Sequence, residues 1–119
     1  MSGFLAHFMK KSTDTPTIVC LCGSARFVKA FIKANKDETM QGKIVLLPGV
    51  FIAHPEFHEE KIICSDSDRK ALEKLHLRKI DLCDEILVLN VEGYIGKTTH
   101  KEIEYAFNNH KMIRYLEEL

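Results

Sequence analysis

The sequence predicts a doubly wound α/β domain on a parallel sheet, and two observations carry that expectation. Four short apolar runs alternate with three stretches of helical period, in the order strand, helix, strand, helix, strand, helix, strand. The apolar runs are continuous rather than alternating, which is the pattern of strands covered on both faces. Right-handed crossovers leave few topologies, and the strand order 2-1-3-4 is expected, in a sheet of four or five strands.

Each element has its own signal. Residues 17–22 (TIVCLC) are β-branched and apolar, and Gly23-Ser24 stops them. From Ala25 the period turns helical, with Phe27, Ala30, Phe31 and Ala34 on one face, and Gly42 is the expected stop. Residues 43–47 (KIVLL) form the second strand, ended by Pro48-Gly49. Val50, Phe51 and Ile52 suit a short further strand, and Pro55 opens a short helix or loop. Ser65 with Asp68 three residues on reads as a capping box. The helix that follows carries a stripe of Leu72, Leu75, His76, Ile80 and Cys83, and Asp84 breaks it. Residues 85–90 (EILVLN) are the third strand. Thr98 or Thr99 is expected to open the last helix, with Ile103, Ala106, Phe107 and His110 inward, and residues 112–116 are the fourth strand.

A length of 119 residues suits one domain, read over 17–119 behind an N-terminal arm at 1–16. Lys and Arg total 17 and Asp and Glu total 17, a neutral balance that argues against a nucleic-acid or anionic-membrane partner. No apolar run approaches the length of a membrane span, and residues 1–15 hold no signal-peptide core. The cysteines are Cys20, Cys22, Cys64 and Cys83, and no pair has C-x-x-C spacing. They read as small buried hydrophobes in a reducing cytoplasm. No metal or cofactor is expected. His54 and His58, with Glu56, Glu59 and Glu60, lack the His-Glu-x-x-His order and read as pocket wall.

In an open parallel sheet ligands bind beyond the carboxyl ends of the strands, where strand order reverses. The order 2-1-3-4 puts that point between the first and third strands. Three segments should meet there: Gly23-Ser24-Ala25-Arg26, the stretch after Pro48, and Asn90 to Thr99. In the first, glycine permits close approach, a helix N-terminus attracts an anion, and Ser24 and Arg26 add donors suited to phosphate. The last holds Tyr94, Gly96, Thr98 and Thr99 at a second helix N-terminus, without Walker spacing. Glu102 has two readings. It completes a capping box with Thr99, or it is a first-turn carboxylate kept ionised by the helix dipole, as a nucleophile must be. His76 is either a core histidine or a proton donor and ligand partner.

The pairing of Cys22-Gly23-Ser24-Ala25-Arg26 after the first strand with the segment from Gly93 to Ile103 (GYIGKTTHKEI) after the third resembles the nucleoside 2-deoxyribosyltransferase superfamily. The resemblance runs from about Thr17 to Leu116 and is closest to small bacterial and phage members. It extends to the 2'-deoxynucleoside 5'-monophosphate N-glycosidases, which carry a Gly-Ser-x-Arg loop. It implies a flavodoxin-like three-layer α/β/α fold, a homodimer or higher oligomer, and cleavage of the sugar–base bond of a nucleoside or nucleotide. Glu102 matches the family nucleophile. Gly23, Ser24 and Arg26 match the 5'-phosphate loop, and Gly96 and Thr98 fall at its second phosphate contacts. Where the family has a catalytic aspartate, eight residues before Asp84, this chain has His76. A histidine there can donate a proton, or mark a different substrate or a pocket that binds without cleaving. Two further readings stand beside this one. The chain can be a non-catalytic nucleotide sensor on the same loops, or a small α/β subunit that works through protein contacts.

Overall fold

A computed structural model of the protein describes residues 15–49 and 65–119. The readings made for residues 1–14, for Val50, Phe51 and Ile52, for Pro55, for the His54/His58 cluster and for Cys64 lie outside the described residues.

The elements run β1 (Ile18–Cys22), a 3-10 turn (Ala25–Phe27), α1 (Val28–Met40), β2 (Ile44–Leu46), α2 (Asp66–Leu82), β3 (Glu85–Val88), a second 3-10 turn (Val91–Gly93), α3 (Lys97–Asn108) and β4 (Met112–Tyr115). The sheet is four-stranded and wholly parallel among the described residues, in the order β2-β1-β3-β4. This is the expected doubly wound α/β architecture, and the topology matches the sequence reading.

The two-residue period of β1 feeds two cores. Val19 and Leu21 pack with Phe31 and Ala34 of α1 and with Leu87 and Leu89. Cys20 and Cys22 point to the opposite face, among Ile80, Cys83, Ile86, Val88 and Ala106 under α2 and α3. Both faces of the central strand β1 are therefore covered, which is why its sequence is apolar throughout.

Local signals set the boundaries. Ser65 Oγ accepts from the Asp68 amide and the Asp68 carboxylate accepts from the Ser65 amide, closing the capping box. Gly42 adopts φ +84°, a left-handed conformation that favours glycine, and its amide donates to Thr39 O to end α1. Lys111 Nζ donates to the Asp81 and Cys83 carbonyls, covering the carboxyl end of α2. The Asp84 carboxylate accepts from the Ile18 amide and ties the start of β1 to that of β3. Below the sheet, Lys43 bridges Glu38 and Glu85 at 3.1 Å each, and Arg114 reaches the same two carboxylates.

Three side chains depart from the expected faces. Leu75 is half exposed, and Leu77 packs on the core in its place. Phe107 is 71% exposed and His110 lies beyond α3 in a left-handed conformation. Helix α3 also starts earlier than expected: Gly96 is its N-cap and Lys97 its first residue, ahead of Thr98 or Thr99. Packing on the sheet makes Thr99, Glu102 and Ala106 its buried row, with Ile103 partly buried beside them. None of the described helices is long and apolar enough to cross a membrane.

Candidate functional site

A cavity of about 450 Å³ opens at the carboxyl ends of β1 and β3. Gly23, Ser24 and Ala25 form one wall, and Tyr94, Gly96, Lys97, Thr98, Thr99 and Glu102 another. Pro48 and Gly49 contribute a third side, and the face of α2 with Arg69, Leu72, Glu73, Leu75, His76 and Lys79 closes it. The place is where strand order reverses, as the topology requires.

The Gly23 loop presses against the end of β3. A Cβ at Gly23 would lie 3.1 Å from Leu89 Cβ and 3.4 Å from Leu89 O, so glycine is what admits this approach. Ser24 Oγ caps the following 3-10 turn by accepting from the Arg26 amide. Across the cavity α3 starts with no side-chain cap, which leaves its first amides without intrahelical partners beside Thr98 and Thr99. Arg69, Lys79 and Lys97 add cations, although the Lys79 ammonium already donates to Leu47 O at 2.8 Å.

Glu102 and His76 meet on the deep side. Glu102 Oε2 lies 3.9 Å from His76 Nε2, and both residues are buried. Glu102 is the sixth residue of α3, so Thr99 does not cap the helix and the capping-box reading is overturned. The expectation of a first-turn carboxylate held ionised by the dipole also fails. Burial pushes Glu102 up to about 7, opposed in part by the positive charge His76 can carry. For His76 burial works downward, but the contact with the Cys20 thiol and the charge of Glu102 outweigh it and raise the imidazole above 6.5.

Two cysteines join this pair. Cys20 Sγ and Cys22 Sγ each lie 3.6 Å from His76 Nε2. Their side chains are fully buried, as expected of small core residues, yet they also form a polar cluster with the imidazole. The Cys22 side chain and His76 together hold the Cys20 thiol down at about 6 against the effect of burial. His76 Nδ1 is buried with no partner among the described residues.

The structure thus puts Gly23, Ser24, His76, Tyr94, Gly96, Thr98, Thr99 and Glu102 around one cavity. It does not put Arg26 or Asn90 there. The Arg26 guanidinium lies 4.5 Å from the centre of the Tyr94 ring, whose edge contact with Phe27 is 5.8 Å between centroids. Asn90 spends both ends of its amide on the backbone of Glu117, accepting from its N–H at 2.9 Å and donating to its C=O at 3.0 Å. Its role is to pin the C-terminal segment. Arg69, Glu73 and Lys79 of α2 also line the cavity, outside the three segments expected there, and Lys97 lies within the expected Asn90–Thr99 segment. Arg69, Glu73 and His76 recur at helical spacing on α2, and that polar row beside the apolar stripe was the available signal.

Comparison of the chain with protein-family models, with curated proteins and with solved structures finds no match.

Proposed function

We propose that the cavity binds a nucleoside or its 5'-monophosphate and cleaves the bond between sugar C1' and the base. The observation that carries this reading is the buried Glu102–His76 pair at 3.9 Å, set deep in a cavity whose mouth offers amides, hydroxyls and cations. The mouth suits a phosphate and the deep pair suits acid–base and nucleophilic work. The sequence resemblance to the nucleoside 2-deoxyribosyltransferases points the same way.

In the proposed reaction a Glu102 carboxylate oxygen attacks C1'. The electron pair of the C1'–N bond leaves with the base, which takes a proton from the His76 imidazolium. Water then attacks C1' of the glycosyl ester and gives its proton to the now neutral His76, while the bond from C1' to the carboxylate oxygen breaks with its electron pair. The sugar leaves with net retention and Glu102 returns to its carboxylate. A second base in place of water makes the same site a transferase. The reactive form needs Glu102 ionised and His76 protonated. Burial raises Glu102 to about 7, and the Cys20 contact and the Glu102 charge raise His76, which favours its protonated form.

The test is incubation of the protein with a panel of ribo- and deoxyribonucleosides and their 5'-monophosphates, read as free base by chromatography. Release from any member is the expected result. Absence of release from every member, with nucleotide still raising the melting temperature, would overturn the catalytic reading in favour of a nucleotide-binding module.

A further inference from the structure

We propose that Cys20, Cys22 and His76 form a binding site for a thiophilic cation of the zinc(II) type behind the wall of the cavity that His76 lines. The site follows from the strand period. Residues two apart on β1 share a face, so both thiols point at α2, and α2 delivers the His76 imidazole between them. The two sulfurs and Nε2 all lie within 4.8 Å of one another.

The separations suit one ion. Zinc bonds of about 2.3 Å to sulfur and 2.0–2.1 Å to imidazole nitrogen at a tetrahedral angle put sulfur and nitrogen roughly 3.6 Å apart. Both observed Sγ to Nε2 distances are 3.6 Å. The ligands need only release their protons to close on a metal. Two thiolates and an imidazole select a borderline-soft ion over magnesium or calcium. Glu102 Oε2, 3.9 Å from the same Nε2, stands beside the fourth position. His76 and Glu102 both line the cavity, so the ion has a route in from solvent.

The site does not rest on the glycosidic reading, and the two share His76 and the neighbouring Glu102. An ion on Nε2 withdraws that nitrogen from proton transfer, so a loaded protein should release base more slowly than a stripped one.

The test uses the full chain, reduced, stripped with a chelator and then loaded with zinc or cobalt(II). Zinc is expected to bind at one equivalent per chain against a chromophoric chelator. Cobalt should give an intense sulfur-to-metal charge-transfer band with the visible absorption of a tetrahedral site. Cys20→Ser, Cys22→Ser and His76→Gln should each weaken zinc binding by about 100-fold or more, because each removes a direct ligand. Cys64→Ser should keep the band. Circular dichroism identifies any variant that fails to fold, and the wild-type cobalt spectrum stands without the variants. A wild-type protein with no charge-transfer band and no retained zinc would overturn the proposal. So would a band that survives in folded Cys20→Ser and Cys22→Ser proteins or disappears in Cys64→Ser.

Discussion

The carboxylate of Glu102 lies 3.9 Å from His76 Nε2, and the two side chains come from different helices, α3 and α2. Neither helix presents the pair by itself. The right-handed crossovers that lay both helices on one face of the sheet bring them together above Cys20 and Cys22.

Burial of Glu102 makes stability depend on pH. A carboxyl raised to about 7 from 4.5 in the folded protein costs nothing below its unfolded value, and the cost grows as pH rises through the folded one. Glu102→Gln removes that cost. In metal-free protein it should stabilise the fold by about 1–3 kcal/mol at about pH 8 and by nearly nothing at about pH 4. Chemical denaturation at the two pH values reads the difference. Equal effects at both would show that the carboxyl is not raised.

The fold was largely legible because its signals are local. Four apolar runs, Gly42 and the Ser65 box each act within a few residues, and the parallel order follows from chirality. The site was legible only where loops carry it. Glu102 looked like the partner of a Thr99 cap, and nothing local reveals that α3 starts at Lys97 on an uncapped Gly96. The Cys20–Cys22–His76 cluster was hidden for another reason. The strand period puts both thiols on one face, but which residue of α2 meets them depends on how the helix packs. Phe107 shows the converse, an apolar residue on the helical period that tertiary packing leaves outside.

Asn90 should matter for stability rather than for ligand binding. Asn90→Ala removes the two hydrogen bonds by which buried Asn90 holds the exposed Glu117 backbone, which should cost about 1–3 kcal/mol. Amide exchange at Glu117 should quicken in the variant. A large loss of nucleotide affinity with unchanged stability would instead return Asn90 to the binding site.

Gly23→Ala tests how closely the first loop must approach β3. The new methyl would lie 3.1 Å from Leu89 Cβ, and backbone or β3 must shift to admit it. A destabilisation of about 1–3 kcal/mol is expected, as for other overpacked positions. An unchanged melting curve would mean that the loop gives way freely.

Cations should divide by position. Arg69 lines the cavity, whereas Arg26 stacks on Tyr94 outside its wall. Arg69→Ala is expected to weaken a 5'-monophosphate by about 10-fold more than the matching nucleoside, the loss of one charge-assisted contact. Arg26→Ala should weaken both alike, by releasing the Tyr94 ring. Calorimetric titration of both ligands reads the contrast, and a monophosphate-selective loss in Arg26→Ala alone would move the phosphate to that side.

The most direct measurement of the central claim is base release by wild type and Glu102→Gln side by side, with ligand binding followed by thermal shift. The account predicts that the variant loses release by about 10³-fold or more while its thermal shift with nucleotide persists, because glutamine keeps the shape and removes the nucleophile. A variant that releases base at the wild-type rate would contradict it.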